Sequence, residues 1–281
     1  MDLFYTEIED YREVNCMKVS FSTLGCPSWS WKEIYAAAKD FGFDGIEVRG
    51  VQNQIYAPKV PEFADPGKAA GELRAMGLEI PLFTSGAVVS DQRNIAQVMA
   101  EAIDYIVLAE RAGVPYVRVL TDRDPAPGSA VDLEFAAGHM KLLCEFAALH
   151  GVTVLTETNG VLGNSKNMLE FLDRVASDRL AVLWDVHHTV RYFNESPADT
   201  VKALGKRIRH VHLKDSRSVD GRVEYQMTGY GDIPLQEAID ALKAAGYEGW
   251  LSLEWVKRWS EQLAEPGIVF PHFLSAVRAM L

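Results

Sequence analysis

The sequence has little cysteine and no long apolar run. Three cysteines occur in 281 residues, at Cys16, Cys26 and Cys144, and no two of them form a C-x-x-C pair. Because disulfide frameworks and structural zinc sites need larger or more regular cysteine sets, this content indicates free thiols in a reducing compartment. No apolar run approaches the length of about 18 residues that crosses a bilayer. We therefore expect a cytoplasmic protein with no membrane partner.

A signal peptide and a basic surface are also missing. The chain begins Met-Asp-Leu-Phe-Tyr-Thr-Glu, which is acidic where a secretory signal would be basic and then apolar. Lysine and arginine number 28 against 39 aspartates and glutamates, which gives a net charge of −11, and the basic residues are dispersed. Since nucleic-acid binders attract phosphates with clustered lysine and arginine, we expect no nucleic-acid partner.

From Met17 onward, strand and helix patterns alternate eight times. The strand patterns are short and apolar, and several helix patterns carry apolar residues at i, i+3 and i+4. The predicted strands are Lys18–Ser22, Gly45–Val48, Glu79–Phe83, Tyr116–Leu120, Val152–Leu155, Leu180–Trp184, Ile208–Val211 and Trp250–Leu253. The predicted helices are Trp31–Phe41, Asp65–Met76, Asn94–Ala112, Leu133–His150, Ser165–Ala176, Pro197–Leu204, Leu235–Ala245 and Ile268–Met280.

Glycine follows five of these helices and marks the start of the next strand. These glycines are Gly42, Gly77, Gly113, Gly151 and Gly246. Glycine is favoured there because it readily adopts the left-handed conformation that ends a helix. Eight parallel strand–helix units predict a single (β/α)8 TIM barrel over residues 17–281. The alternative is an open doubly wound sheet, but its Gly-x-Gly-x-x-Gly ligand signature follows no early strand.

The first 16 residues lack a clean period and precede the first strong strand. We predict that residues 1–16 are an N-terminal appendage, either a short helix that closes the bottom of the barrel or an extension of the reading frame. The segments with the least regular pattern are 49–64, 84–92, 121–129 and 214–233. All four follow strands, on the face where barrel active sites lie, so we expect a lid among them.

Four strands in the second half end in a metal-ligand side chain. These side chains are Glu157, Asp185, His212 and Glu254. Because the carboxyl ends of parallel strands meet at one end of a barrel, the four should converge on one point. Three carboxylates and one imidazole suit Mn²⁺, Mg²⁺ or Co²⁺ better than a thiolate-rich structural zinc site does. Each acid could instead be neutralised by a neighbouring basic residue, and Asp185 could be a helix N-cap.

Histidines and other charged residues surround this predicted site. All seven histidines lie at or beyond His139. We expect His188, three residues after Asp185, to contact substrate, His187 to be structural, and His210 to be a hydrogen-bonded group inside the barrel. Lys214, Arg217 and Arg49 would supply charge at the rim of the cavity, although a solvated loop explains them equally well. Trp255 could cover the apolar side of a sugar ring or pack in the core.

These motifs resemble those of the xylose-isomerase-like barrel superfamily of sugar and sugar-phosphate isomerases and epimerases. They are Asp-Gly-Ile-Glu47, Thr-Glu157-Thr-Asn, Asp185-Val-His-His188, His-Val-His212-Leu-Lys-Asp and Leu-Ser-Leu-Glu254, and the resemblance spans Met17 to Leu281. It implies one divalent ion held by Glu157, Asp185, His212 and Glu254. Mn²⁺ is the first choice, and Mg²⁺, Co²⁺ and Zn²⁺ are the alternatives. It also implies that Glu157 and Glu254 act as acid and base and that Glu47 and His188 contact the substrate.

The resemblance predicts a metal-dependent isomerase or epimerase that abstracts a proton next to a carbonyl through a metal-stabilised enediolate. The alternatives are a dehydratase or lyase on a keto-sugar or keto-inositol, a non-catalytic sugar-binding barrel, and an endonuclease IV-type nuclease. Ketose 3-epimerases of the superfamily carry an arginine six residues after the ligand histidine, where this chain has Ser218, so Lys214 or Arg217 would have to replace it. The nuclease needs histidines after early strands, and none occurs before His139. The partner would be a small carbohydrate, and a dimer or tetramer is left open.

Overall fold

Eight parallel strands form a barrel in the computed structural model, which describes residues 17–128 and 130–281. The predicted appendage, residues 1–16, lies outside the described residues. The barrel strands are β1 (Lys18–Ser22), β2 (Gly45–Glu47), β3 (Leu82–Val88), β4 (Tyr116–Leu120), β5 (Thr153–Glu157), β6 (Leu180–Asp185), β7 (Ile208–Leu213) and β10 (Trp250–Leu253). The prediction of a (β/α)8 TIM barrel is confirmed.

The order of the strands around the barrel is β2-β1-β10-β7-β6-β5-β4-β3. The two ends of this order meet through parallel bridges that join Gly45 to Glu79 and Val48 to Phe83. Because the ring is nearly closed, side chains at the carboxyl ends of distant strands face one another across its interior.

The helices surround the barrel and bury one face each against it. They are α1 (Trp31–Phe41), α2 (Pro66–Ala75), α3 (Ile95–Ala112), α4 (Leu133–Leu149), α5 (Ser165–Val175), α6 (Val186–Phe193), α7 (Pro197–Leu204), α8 (Leu235–Ala244) and α9 (Pro266–Met280). All five glycines predicted to follow helices have positive φ, from 66° at Gly246 to 91° at Gly42. Among the described residues, no helix is both long enough and apolar enough to span a membrane.

The third strand differs from its prediction. We predicted Glu79–Phe83, but the strand begins at Leu82 and continues to Val88. Pro81 has no N–H to donate to a ladder, so regular pairing starts after it. The strand then extends through Ser85 and Gly86 with a register shift against β4 between Thr84 and Val88. Most of residues 84–92 is therefore ordered sheet rather than irregular loop.

The segment after β7 is a β-hairpin rather than an irregular loop. Its strands are β8 (Asp215–Val219) and β9 (Arg222–Gln226), which pair antiparallel. Asp220 and Gly221 form the turn, and both have positive φ, 50° and 76°. An Asp-Gly pair between alternating residues is a strong hairpin signal because this turn matches the twist of the two strands.

The interior of the barrel changes from apolar to polar toward the carboxyl ends of the strands. Leu82, Leu155, Ala181 and Leu183 form a separate apolar cluster against Tyr116, which lies at the start of β4. Alternate residues of the same strands place polar groups higher up, at the carboxyl ends. The apolar layer therefore forms the floor of a charged site.

Candidate metal centre

The four predicted ligands lie together at the carboxyl end of the barrel. Glu157 and Asp185 are the last residues of β5 and β6, His212 lies near the end of β7, and Glu254 directly follows β10. One ligand atom from each lies within 4.8 Å of the others. His212 Nδ1 is 3.8 Å from Glu157 Oε1, 3.8 Å from Asp185 Oδ2 and 3.6 Å from Glu254 Oε1. Asp185 and His212 are fully buried, and Glu157 and Glu254 are 2% and 6% exposed.

Asp185 belongs to a second element as well. Its Oδ1 accepts a hydrogen bond from the backbone N–H of His188 at 3.2 Å and so caps α6, a helix that we did not predict. The cap and the ligand position are compatible because Asp185 Oδ2 remains directed at the cluster. His188 Nδ1–H donates to the carbonyl of Thr158 at 2.9 Å, and burial lowers the pKa of His188. Its Nε2 lies 3.6 Å from Asp185 Oδ2.

Arg118 is a site residue that the sequence analysis missed. It lies in the middle of β4, buried, and its Nη1 donates to Glu157 Oε2 at 2.7 Å while its Nη2 donates to the carbonyl of Ser85 at 2.7 Å. Burial alone would raise the pKa of Glu157, but Arg118, His212 and His188 together outweigh it and hold this pKa well below its usual range. An arginine within the apolar run Tyr-Val-Arg-Val-Leu was the available signal, because a buried charge needs a partner.

Lys214 bridges two of the acids. Its Nζ donates to Glu254 Oε2 at 2.5 Å and lies 2.6 Å from Asp185 Oδ2 as an ion pair without hydrogen-bond geometry. Burial alone would lower the pKa of Lys214, but Asp185 and Glu254 raise it well above its usual value. Lys214 is therefore a charged member of the site.

Two further residues that we predicted to contact substrate, Glu47 and Arg49, lie in different surroundings. Glu47 is fully buried, and its Oε2 contacts Nε2 of both His210 and His212. Arg49 is half-buried, and its Nη1 donates to the carbonyl of Ile55 and to the Tyr105 hydroxyl.

Arg217 and Trp255 do not join the cluster. Arg217 is exposed on β8, as is Ser218 beside it. The Trp255 ring is buried in the core, and its Nε1 donates to the carbonyl of Ala264 at 3.0 Å. Burial in the core is one of the two interpretations we allowed for Trp255. Arg217 therefore lies outside the cluster in this structure, and its contact with a bound sugar stays a prediction.

His187 ties α6 to the hairpin. Its Nε2 lies 2.9 Å from Ser216 Oγ, and Arg191 donates from Nη2 to the carbonyl of the same serine at 2.9 Å. Asp215 accepts the backbone N–H groups of Gly229, Gly231 and Ile233 and so anchors the loop that follows the hairpin. The hairpin is therefore fixed beside the site.

The charges and the unpartnered atoms of the cluster fit a divalent cation. With a neutral His212, the form that binds a metal, the carboxylates of Glu47, Glu157, Asp185 and Glu254 exceed the two cations Arg118 and Lys214 by two negative charges in a buried volume. A buried excess of this kind is costly unless it is neutralised. Asp185 Oδ2 and His212 Nδ1 have no hydrogen-bond partner among the described residues, although both are buried. A divalent ion would satisfy both atoms and balance the charge.

A family assignment follows from comparison with known sequences. The family model described as xylose isomerase-like TIM barrel matches residues 35–270. The chain therefore belongs to the xylose isomerase-like TIM barrel family.

Individual relatives extend over nearly the whole chain. Fructoselysine 3-epimerase of Escherichia coli O157:H7 is 25% identical over 287 residues, which cover 94% of this chain and 98% of the relative. The crystal structure of a probable 3-DHS dehydratase involved in petrobactin synthesis, from Bacillus anthracis, is 20% identical with a TM-score of 0.79 and covers 93% and 99%. The IOLI protein, solved with a zinc atom, is 16% identical with a TM-score of 0.77 and covers 94% and 98%.

Proposed function

We propose that this protein is a metal-dependent sugar isomerase or epimerase that removes and returns a proton next to a carbonyl group. The observation that carries this proposal is the position of Glu157 and Glu254 on β5 and β10, with β6 and β7 between them. Two carboxylates on opposite sides of a bound sugar can take a proton from one face and return one to the other, which inverts a stereocentre. The similarity to fructoselysine 3-epimerase over nearly the full length of both chains supports the epimerase.

We assign one divalent ion to Glu157, Asp185, His212 and Glu254, with Mn²⁺ as the first choice and Mg²⁺, Co²⁺ or Zn²⁺ as alternatives. When bound, the ion would polarise the carbonyl and the neighbouring hydroxyl of the sugar and so acidify the C–H bond between them. The zinc atom in the structure of the IOLI protein, which has a similar fold, supports a divalent ion in such a barrel.

The roles of the surrounding residues follow from their contacts. The Arg118 guanidinium donates a hydrogen bond to Glu157 Oε2. The other oxygen, Oε1, lies 3.6 Å from His188 Nδ1 and is available to the ion or the sugar. Lys214 occupies Glu254 Oε2 and can instead donate to a sugar oxygen once the ion shares the charge of that carboxylate. We therefore assign substrate contacts to His188 and Lys214, and the exchange of the proton to the two glutamates.

Exchange of substrate hydrogen with solvent tests this function. The metal-loaded protein would be incubated in D₂O with a panel of keto-sugars that includes fructoselysine, and products would be analysed by NMR and mass spectrometry. We expect one deuterium at the carbon next to the carbonyl and an isomer or epimer as product, both abolished by a chelator and restored by Mn²⁺. Asp185→Asn, which we expect to bind the metal poorly, serves as the matched inactive protein.

Two other results would overturn the isomerase. Loss of water, seen as an absorbing enone in place of a deuterated sugar, would identify a dehydratase of the same barrel family. Binding of a sugar from the panel by the metal-loaded protein, without deuterium incorporation into any of them, would identify a binding protein.

A further inference from the structure

Glu47 joins two histidines that lie on the far side of the barrel interior. It ends β2, whereas His210 and His212 lie on β7, and β1 and β10 separate those strands in the sheet. A single oxygen, Glu47 Oε2, lies 3.0 Å from His210 Nε2 and 2.9 Å from His212 Nε2. All three side chains are fully buried.

These contacts determine which ring nitrogen carries a hydrogen. An ionised carboxylate can only accept hydrogen bonds, so Nε2 of both rings must donate. A neutral imidazole with its hydrogen on Nε2 has its lone pair on Nδ1. His212 Nδ1 is the atom that faces Glu157, Asp185 and Glu254, and among the described residues it has no hydrogen-bond partner.

His210 has the same hydrogen-bonded partner but a different neighbourhood. It lies two residues before His212 on the same face of β7, one layer further from the carboxyl end. Its Nδ1 also lacks a hydrogen-bond partner within residues 17–128 and 130–281. The second donated bond holds the Glu47 carboxylate from below, so the carboxylate cannot rotate away from His212 without breaking both contacts.

We propose that Glu47 is a positioning residue, which with His210 holds His212 in the tautomer and orientation that present Nδ1 to the metal. This inference deepens the proposed function and rests on its metal site. Carboxylates that accept from the second nitrogen of a metal-bound imidazole fix the ring and raise its basicity, and their loss commonly lowers metal affinity by about 10- to 100-fold. In this role Glu47 acts through His212, because its Oε2 contacts Nε2 of both histidines.

The test measures metal binding and not turnover. Glu47→Gln keeps an oxygen but loses the charge, and Glu47→Ala removes the acceptor. Ser252→Ala is the matched control, because Ser252 is the β10 residue in register with His212, is fully buried, and has an Oγ without a hydrogen-bond partner in the described part of the chain. Co²⁺ affinity would be measured by competition with a chelator, together with the visible spectrum of the Co²⁺ protein and the melting temperature without metal.

We expect Glu47→Gln to bind Co²⁺ about 10-fold more weakly and Glu47→Ala about 100-fold more weakly. Both should alter the Co²⁺ spectrum because the ligand ring is reoriented, while Ser252→Ala matches the parent protein. An unchanged affinity and spectrum in Glu47→Ala would overturn the proposal. So would two Co²⁺ per parent chain with one lost in His210→Ala, because Glu47 would then be a ligand of a second ion.

This test separates the positioning role from the proposed function. A parent protein that binds one Co²⁺ but exchanges no substrate proton contradicts the isomerase and leaves the role of Glu47 to be decided by affinity and spectrum. A Glu47→Ala protein that does not fold would be replaced by Glu47→Gln, whose spectrum and affinity decide the same question.

Discussion

The two ends of the barrel differ in where their charge lies. At the amino end, a cavity of about 640 Å³ lies between the starts of β4, β5 and β6 and the residues before β7. Its charged lining residues, Asp173, Asp178, Lys206, Arg207 and Arg209, are all exposed. At the carboxyl end, six charged residues with less than a tenth of their surface exposed converge around His212.

Buried charge, rather than the presence of a cavity, is what marks the candidate site in this protein. Exposed charges are solvated and cost little, so they need no functional explanation. A group of buried carboxylates is costly and persists only where an ion, a partner or a reaction requires it. The carboxyl end, where the charges are buried, is therefore where we expect loss of function, and the following predictions test that contrast.

The largest effect is expected for loss of a metal ligand at the carboxyl end. Asp185→Asn keeps a side chain that can cap α6 but removes the charge, and His212→Ala removes the only nitrogen ligand. Each should weaken binding of Mn²⁺ by more than about 100-fold, which exceeds the usual effect of a residue that only supports a ligand. Metal analysis after dialysis would measure this, with Arg209→Ala at the amino end as control. Full occupancy in both ligand variants would place the metal elsewhere.

The second-largest effect is expected for loss of either glutamate of the proposed acid–base pair. Glu157→Gln and Glu254→Gln should each lower kcat by roughly 100-fold or more, in the range for loss of a general acid or base. With one base on each face, one variant should still exchange the substrate hydrogen with D₂O while failing to invert the carbon. Steady-state rates and deuterium incorporation, measured at saturating metal, separate the two roles. Near-normal turnover in either variant would leave that glutamate at most a metal ligand.

A smaller and graded effect of pH on metal affinity is expected. Burial alone would lower the pKa of His212, but Glu47, Glu254 and Glu157 raise it well above its usual value in the metal-free protein. A metal must displace that proton, so its affinity should fall as pH falls, by about tenfold per pH unit for one proton, and become constant above the raised pKa. Calorimetry in buffers of different ionisation enthalpy would count the protons released. A metal affinity that does not change between pH 6 and 8 would contradict this assignment.

The smallest effect is expected at the amino end. Lys206→Ala and Arg207→Ala together should leave kcat/KM and metal affinity within about twofold, because exposed substitutions usually change stability by about 0.5 kcal/mol or less. Kinetics and melting temperature would be compared with those of the parent protein. A tenfold loss of kcat/KM would show that the cavity at the amino end takes part in function and would break the contrast between the two ends.

The sequence predicted the strands that carry the four ligands more accurately than it predicted the third strand and the hairpin. β6 and β7 each extend one or two residues beyond the predicted strands, so Asp185 and His212 became part of the sheet. The third strand was misplaced at Pro81, and the hairpin after β7 was missed despite its Asp-Gly turn. Residues 1–16 remain a predicted appendage outside the described chain.

By itself the sequence determined the barrel and the convergence of Glu157, Asp185, His212 and Glu254. Both follow from local patterns, since apolar periodicity sets each strand and parallel strands place their carboxyl ends together. Only the tertiary structure decided that Arg118 pairs with Glu157, that Glu47 contacts His210 and His212, and that the side chains of Arg217 and Trp255 lie outside the ligand cluster. Glu47 and His212 are 165 residues apart in the chain. Contacts over such separations depend on the curvature and stagger of the closed barrel, which no local pattern of residues specifies.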